Sequence, residues 1–291
     1  MKEVLGVGQA HSKIILMGEH AVVYGYPALA LPLADIRVTC QVKAGQPKTH
    51  QTDDTLAHAI NLAKNHLGQA AYPLSYTIES QVPRQRGMGS SAAVSLAAIR
   101  AVFDYFDADL ADDLLRDLAN QAERVAHSNP SGLDVRTCMS NQAIKYIRNK
   151  GFEPLHLNLG AYLVIADTGI HGQTKEAVQK IADLGQQAEQ LLADLGQLTL
   201  AAEEAIAQKD LSSLGQGMTQ AHYKLAELGV SCLEADTLVA TALEAGALGA
   251  KMSGGGLGGC IIALVANPQQ VADISQLLKE KGAQQTWIRE L

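Results

Sequence analysis

The stretch RGMGSSAAVSLAAIR (residues 86–100) places two glycines and two serines directly before a run of apolar residues. Glycine costs roughly 0.5–1 kcal/mol more to order than alanine inside a helix or strand, so glycines here need a reason. The residues from Ser90 to about Phe106 are apolar on nearly every side, which predicts a buried helix. A helix that begins near Ser90 presents unpaired backbone N–H groups and about half a positive charge at its N-terminus.

Two interpretations of this stretch remain open from its residues. Gly87 and Gly89 would let the backbone approach an anion closely, so that the loop and the helix N-terminus together bind phosphate. Alternatively, the stretch is a glycine turn followed by a serine N-cap, which is common wherever a helix begins. The chain contains no GxxxxGK[ST] sequence, so the P-loop template does not decide between them.

Composition narrows the class of protein. The chain has 291 residues, 47% hydrophobic and 18% charged, which predicts two globular domains or one large one. Its net charge of −7 and the absence of a long lysine or arginine run argue against nucleic acid and anionic membranes as partners. Without an evident signal peptide or membrane span, we expect a cytoplasmic protein. The four scattered cysteines are then expected to be reduced and mostly buried: Cys40, Cys138, Cys232 and Cys260.

The order of predicted elements favours an α+β fold over a regular βαβ alternation. Strands are predicted at 13–18, 27–33, 36–42, 75–82, 161–168, 249–253 and 260–266. Helices are predicted at 90–106, 110–127 and 271–281, with a helical region over 175–245. A change in composition over residues 148–160 suggests two domains, 1–150 and 151–291.

A second glycine cluster, SGGGLGGC (253–260), formally contains the GxGxxG pattern of dinucleotide-binding folds. That pattern requires a following helix, whereas the apolar residues from Cys260 to Val265 are typical of a strand. We therefore expect a glycine hairpin between two strands, or a flexible loop that closes over a ligand.

A third stretch, ERVAHSNPSGLD (123–134), brings Glu123, His127 and Asp134 near one helix–loop–helix corner. Glu123 lies beside the apolar stripe of its helix, and with His127 four residues later it could bind a metal. Two ligands do not make a zinc site, however. Asp134 is expected in the first turn or two of the next helix, where a carboxylate is common for dipole reasons alone.

A fourth stretch, HSKIILMGEHAVVYG (11–25), opens an apolar strand with Lys13 and ends it with Glu19 and His20. Lys13 would be either a lysine at the strand edge that reaches to solvent or a charge held for a ligand phosphate or carboxylate. Glu19 and His20 are either ordinary polar turn residues or part of a functional loop.

Together the four stretches resemble the GHMP kinase superfamily. PRQRGMGSSAA is similar to its phosphate-loop motif, PxxxGLGSSAA, with Pro83 in register and Met88 in place of leucine, and KMSGGGLGGC resembles its C-terminal glycine motif. KIILMGEHAVVYG and ERVAHSNPSGLD resemble the mevalonate kinases most closely. The resemblance covers nearly the whole chain. It implies a two-domain fold, with an N-terminal domain like domain 2 of ribosomal protein S5 and a ferredoxin-like α+β C-terminal domain.

The resemblance also implies a role for each motif. Asp134 would accept the proton of the substrate hydroxyl, and Lys13 would hold Asp134 ionised and neutralise charge on the transferred phosphoryl group. Ser91 and Glu123 would be the protein ligands of Mg²⁺, which leaves His127 to packing or loop support. Glu19 and His20 would lie near the substrate, with His20 as a hydrogen-bond donor. The ATP-binding residues would be Pro83, Arg84, Gln85, Arg86, Gly87, Met88, Gly89, Ser90, Ser91, Ala92, Ala93, Gly254, Gly255 and Gly256.

The implied activity is transfer of a phosphoryl group from ATP to the 5-hydroxyl of mevalonate, with small molecules as the partners. The resemblance also allows a homodimer. Phosphomevalonate kinase and homoserine kinase, which share the motifs, are alternatives. Diphosphomevalonate decarboxylases share the fold but lack an equivalent of Lys13, so its presence argues against that lyase. A superfamily protein that binds without turnover would be expected to have lost some of these site residues, all of which are present here.

Overall fold

The computed structural model describes residues 4–46, 55–126 and 131–291 and confirms the α+β class. The chain divides into two compact units, each assembled from separated segments. Unit 1 comprises Met1–Lys13, Pro32–Arg84 and Gly89–Asn141. Unit 2 comprises Ile14–Leu31, Gln85–Met88 and Gln142–Leu291. Strands β1 (Gly6–Met17) and β2 (Pro27–Ala44) contribute residues to both.

One sheet contains five strands in the order β1-β2-β4-β5, with β3 also paired to β2. Strands β3 (Leu74–Ser80), β4 (Ile144–Ile147) and β5 (Gly151–Pro154) join by antiparallel pairing. β2 is one strand of 18 residues, where two short strands were predicted. Its first seven residues are all buried, whereas burial alternates from Ile36 onward, because one face is then open to solvent.

Unit 1 carries helices α1 (Thr55–His66), α2 (Ser90–Tyr105), α3 (Asp112–Ala126) and α4 (Leu133–Met139). Helix α2 is buried over most of its length, as its sequence predicts, and packs against α1 and α3. Strand β1 also approaches α2 closely: a Cβ added to Gly8 would lie 2.0 Å from the Ala97 carbonyl oxygen. The core of unit 1 thus surrounds the helix that follows the glycine–serine stretch.

The helical region predicted over 175–245 is divided into four helices of unit 2. They are α5 (Thr174–Leu184), α6 (Gln186–Gln208), α7 (Leu211–Glu227) and α8 (Leu233–Glu244), and α9 (Pro268–Glu280) follows later. A short 3-10 helix (Ala21–Tyr24) belongs to the same unit and packs against α6.

The second sheet lies within unit 2 and has the order β7-β8-β6-β9, with every pair antiparallel. Its strands are β6 (Tyr162–Asp167), β7 (Gly249–Ser253), β8 (Cys260–Val265) and β9 (Thr286–Glu290). Helices α8 and α9 cover the apolar side chains of β6 and β8. The strands β4, β5 and β9 and the helix α1 were not predicted from the sequence.

The cysteines behave as expected from their scattered positions. All four are free thiols, and three of them, Cys40, Cys138 and Cys260, are buried. Within the described ranges, no helix is both long enough and apolar enough to cross a membrane.

Two glycines of α7 provide a matched test of how tightly this helix packs on β7. A Cβ at Gly215 would lie 2.3 Å from the Leu248 carbonyl oxygen, whereas a Cβ at Gly217 meets none of the described atoms within 4 Å. We expect Gly215→Ala to lower the free energy of unfolding by about 1–3 kcal/mol, because the backbone must shift. Gly217→Ala should raise it by about 0.5–1 kcal/mol, because alanine is the better helix former. Urea denaturation of both variants measures the difference, and equal stabilities would contradict the packing described.

Candidate active site

Helix α2 begins at Ser90, and its N-cap is Gly89 in the left-handed conformation (φ 68°), not a serine. Of the two interpretations left open by the sequence, the one with a serine N-cap is therefore wrong. The Ala93 N–H donates to the Gly89 carbonyl oxygen at 2.9 Å, so its amide is already used within the helix. The backbone amides of residues 90–92 precede this bond and have no acceptor within the helix. The N-terminus of α2 therefore has the donors that an anion site needs.

Lys13 lies at the start of α2 although it comes from β1. Its side chain is 1% exposed, and its Nζ lies 2.9 Å from Oδ1 of Asp134 in the first turn of α4. A Cβ on Gly89 would lie 2.9 Å from Cγ of Lys13 and 3.2 Å from Sγ of Cys138. Glycine at position 89 is thus required for the lysine stem to pass. Lys13 is a buried, paired cation rather than a lysine that reaches to solvent.

A second polar pair occupies the same end of α2. Ser91 Oγ donates a hydrogen bond of 2.6 Å to Oε1 of Glu123, and it lies 3.3 Å from Oγ1 of Thr55. Glu123, expected beside the apolar stripe of α3, is only 3% exposed. Burial raises the pKa of Glu123 to about 7; the Ser91 hydrogen bond and the Lys13 charge oppose the rise, and the Asp134 charge adds to it. Ser91, Glu123, Asp134 and Lys13 therefore form one electrostatically coupled cluster.

The donor set of this cluster fits Mg²⁺. A hydroxyl oxygen and a carboxylate oxygen already lie in contact, and a buried carboxylate with a raised pKa gains stability from a nearby cation. Mg²⁺ commonly takes one or two protein oxygens and completes its shell with water and substrate phosphates. Within residues 4–46, 55–126 and 131–291, no group of three or more His, Cys, Asp or Glu side chains could hold a metal on protein ligands alone.

In unit 2, Glu19 and His20 follow the end of β1. The Glu19 carboxylate forms a fully buried ion pair with Nζ of Lys251 in β7, and this amino group also donates to the Met252 carbonyl oxygen at 2.7 Å. Burial lowers the pKa of Lys251, and Glu19 opposes this shift.

Burial also lowers the pKa of His20 to about 4, although a hydrogen bond to the Gly255 backbone works against it. His20 is therefore neutral at physiological pH.

The glycine cluster at 253–260 joins the antiparallel strands β7 and β8, so the predicted hairpin is confirmed and a helix does not follow it. Its backbone touches Gly87, in the loop before α2, directly. A Cβ on Gly87 would lie 2.5 Å from the Ser253 carbonyl oxygen, and one on Gly254 would lie 2.5 Å from Cα of Gly87. No side chain fits at either position.

The remaining predicted ATP-binding residues differ in what they expose. Arg84 and Gln85 are exposed and Pro83 is partly exposed. The side chains of Met88, Ala92 and Ala93 are buried, so those three could meet a nucleotide only through their backbone. The role predicted for His127 lies outside the described residues.

Sequence reasoning missed Lys251 and Asp167, both of which pair with site residues. Asp167 lies 2.6 Å from Nε of Arg86. A signal was present for each: a lysine inside the apolar strand GAKMS, and an acid at the end of the apolar strand YLVIAD. The sequence did not show which partner would neutralise these charges.

Comparison with known proteins identifies the family. The model of the N-terminal domain of GHMP kinases matches residues 54–142, and the model of the GHMP kinase C-terminal region matches residues 202–284. The chain is also 32% identical to the mevalonate kinase of Aeropyrum pernix, over 88% of this chain and 87% of that protein. The chain belongs to the GHMP kinase family.

Solved structures agree with this assignment. This GHMP kinase is similar to L. major mevalonate kinase in complex with R-mevalonate, with a TM-score of 0.86 and 28% identity over 99% of this chain and 98% of that one. It is also similar to the mevalonate kinase of methicillin-resistant Staphylococcus aureus MRSA252, with a TM-score of 0.74 and 31% identity over 99% of each chain.

The buried His20 predicts a specific pH dependence of stability. Its pKa is about 4 in the folded protein and 6.5 in the unfolded chain, so between these values only the unfolded chain takes up the proton. The stability associated with neutral His20 is complete above pH 6.5 and is lost as the pH falls toward 4, at about 1.4 kcal/mol per pH unit. Asparagine is among the residues that most often adopt a positive φ, which this position has (φ 60°). We therefore expect the Tm of His20→Asn to fall less steeply between pH 6.5 and 4.5.

The matched control is His156→Asn, which removes an exposed histidine. Its Tm should follow the same slope as the wild type. Parallel curves for His20→Asn and the wild type would show that His20 is not buried as a neutral group.

Proposed function

We propose that this GHMP kinase is an ATP-dependent mevalonate kinase, which phosphorylates the 5-hydroxyl of mevalonate to give 5-phosphomevalonate and ADP. The observation that carries the proposal is the Lys13–Asp134 ion pair next to the buried Ser91–Glu123 hydrogen bond at the N-terminus of α2. Relatives named mevalonate kinase, which match this chain over most of their length, support mevalonate as the alcohol substrate.

Asp134 is the residue that we propose as proton acceptor. It is 39% exposed, so a substrate can reach it, whereas its partner Lys13 is nearly inaccessible. In the transfer, the substrate hydroxyl gives its proton to Asp134, its oxygen forms a bond to the γ-phosphorus, and the bond from that phosphorus to the β–γ bridging oxygen breaks. A loose transition state needs little from a base, so Asp134 acts chiefly by positioning the hydroxyl.

Lys13 has two proposed tasks in that step. Its ammonium group holds the Asp134 carboxylate in place through their ion pair, and it places a positive charge beside the phosphoryl group in transfer. Its stem is fixed between Gly89 and the interior of unit 1, so the charge does not reorganise during reaction. Such preorganised charge in a poorly solvated site is an effective source of transition-state stabilisation.

Mg²⁺ is proposed at Ser91 and Glu123, where it would neutralise charge on the ATP phosphates. The two side chains belong to α2 and α3, and their hydrogen bond already fixes their oxygens in contact. Ionisation of Glu123 is incomplete near pH 7, so a bound cation would favour the carboxylate form.

The other predicted assignments are retained as proposals. The loop of residues 83–93 and the glycines 254–256 bind ATP, mainly through backbone groups. Glu19 and His20 lie near the alcohol, with the Glu19 carboxylate held by Lys251. The division into residues 1–150 and 151–291, a cytoplasmic location and a homodimer also stay predictions.

The substrate is tested by ADP release with mevalonate, homoserine and phosphomevalonate, and by carbon dioxide release from diphosphomevalonate. We expect ADP with mevalonate alone. Asp134→Asn, which keeps the shape of the side chain, should lower kcat by roughly 10²–10⁴-fold, because the substrate hydroxyl loses both the carboxylate that orients it and its proton acceptor. The same variant should still bind ATP in calorimetry. Turnover of homoserine but not mevalonate would refute the substrate, and an unchanged kcat would refute the role of Asp134.

The metal site is tested with Ser91→Ala. Removal of the hydroxyl should raise the Mg²⁺ concentration needed for half-maximal activity by about tenfold. A change of this size corresponds to the loss of one hydrogen bond to a charged group. The KM for mevalonate should change little. Ser90→Ala serves as the comparison, because Ser91 and not Ser90 is bonded to Glu123. Equal Mg²⁺ requirements in the two variants would contradict the assignment.

A further inference from the structure

Residues 85–88 of the phosphate loop are fixed at several points by other parts of unit 2. The Gln85 carbonyl oxygen accepts a hydrogen bond of 2.7 Å from the Gly172 N–H. Gly87 lies against the backbone of Ser253 and Gly254, with no room for a Cβ. A loop rich in glycine loses much conformational freedom when it orders, so contacts that order it in advance lower the cost of binding a ligand.

The strongest of these contacts is made by a side chain. Arg86 is 12% exposed; its Nε lies 2.6 Å from Oδ1 of Asp167, and its Nη2 donates to the Gly169 carbonyl oxygen at 3.1 Å. Oδ1 of Asp167 also accepts from the Gly169 N–H at 2.8 Å. The planar guanidinium therefore connects the loop to the turn after β6.

Asp167 is itself held rigidly. It is the last residue of β6 and pairs with Cys260 of β8, while its own backbone exchanges hydrogen bonds of 2.9 Å with Gln284 and Gln285. Its carboxylate is 7% exposed. A fixed carboxylate of this kind gives the loop a fixed attachment point.

The charges indicate what Arg86 contributes. Its guanidinium is already neutralised by Asp167 at close range, so the pair as a whole offers a phosphate little net attraction. Two of its donors, Nε and Nη1, are buried and form no hydrogen bond with the described residues, although Nε lies close to the Asp167 carboxylate. A direct nucleotide contact by Arg86 would have to use Nη1, which does not face Asp167, and this is the alternative to be tested.

We propose that Arg86 and Asp167 are positioning residues for the nucleotide, which act by fixing loop 85–88 in the shape that binds phosphate, and that Arg86 is not itself a phosphate ligand. The inference rests on the proposed function only in requiring that this loop binds ATP. It predicts that ATP affinity depends on Asp167, a carboxylate that would repel a phosphate if it acted directly.

The test is a double-mutant cycle of Arg86→Met and Asp167→Asn in the full-length protein. The amide introduced by Asp167→Asn keeps the size of the side chain and an oxygen for the Gly169 N–H. Each single variant should raise the Kd for ATP, measured by calorimetry without an alcohol, by about tenfold. The Kd for ATP of the double variant should be no higher than the higher of the two single-variant values, because both substitutions break the same connection. The KM for mevalonate should stay within about twofold.

Other outcomes would overturn the proposal. If Arg86 binds phosphate directly, Asp167→Asn leaves ATP affinity unchanged or improves it, and the two effects multiply in the double variant. If the pair serves stability alone, the Tm falls while Kd for ATP is unchanged. If Arg86→Met does not fold, Arg86→Lys replaces it in the same cycle, since lysine keeps the charge but cannot span both acceptors.

Arg84→Met provides the matched control, because Arg84 is an exposed arginine two residues earlier in the same loop. Whatever the effect of Arg84→Met on the Kd for ATP, the factors by which Arg84→Met and Asp167→Asn change that Kd should multiply in the variant that carries both. Because ATP binding is measured without an alcohol, a wrong choice of alcohol would leave this cycle unaffected and would appear only in the turnover assays.

Discussion

The cluster of polar side chains at the N-terminus of α2 depends on the burial of one ammonium group. A lysine amino group removed from water is unfavourable unless a carboxylate lies next to it, and Asp134 meets that requirement for Lys13. The pair therefore fixes β1 and the first turn of α4 at a common point. The lysine stem reaches this point only because residue 89 has no side chain. The glycine before α2 thus serves the ion pair as well as the helix N-terminus.

Unit 2 uses buried ion pairs in a comparable way, with Lys251–Glu19 at one turn and Arg86–Asp167 at the phosphate loop. Such pairs are poor sources of net stability, because desolvation of both charges offsets much of their attraction, and apolar side chains of similar volume often do as well. Their placement next to loops, rather than in the centre of the core, is better explained by the geometry that they impose. A charge pair specifies one arrangement, whereas apolar contacts tolerate several.

Local chemistry predicted much of this architecture, and long-range contacts account for what it missed. The buried α2, the glycine hairpin and the position of Asp134 follow from short-range patterns. The burial of Glu123 beside the apolar stripe of α3 was not predicted, because the helix pattern describes one face of α3 and not the neighbours that bury this side chain. Likewise, Lys251 and Asp167 were visible as charges in apolar strands, but their partners lie 232 and 81 residues away in the sequence.

The balance of charge around α2 also indicates how a polyanion could bind there. One cation, Lys13, faces two carboxylates, Asp134 and Glu123, so the cluster offers no excess of positive charge. In unit 2, the Arg86–Asp167 pair is likewise neutral. For the ATP binding proposed above, the attraction would therefore come from backbone N–H groups and from cations that arrive with the nucleotide. A carboxyl group whose pKa is about 7 suits this role, because it can exchange its proton for such a cation near neutral pH.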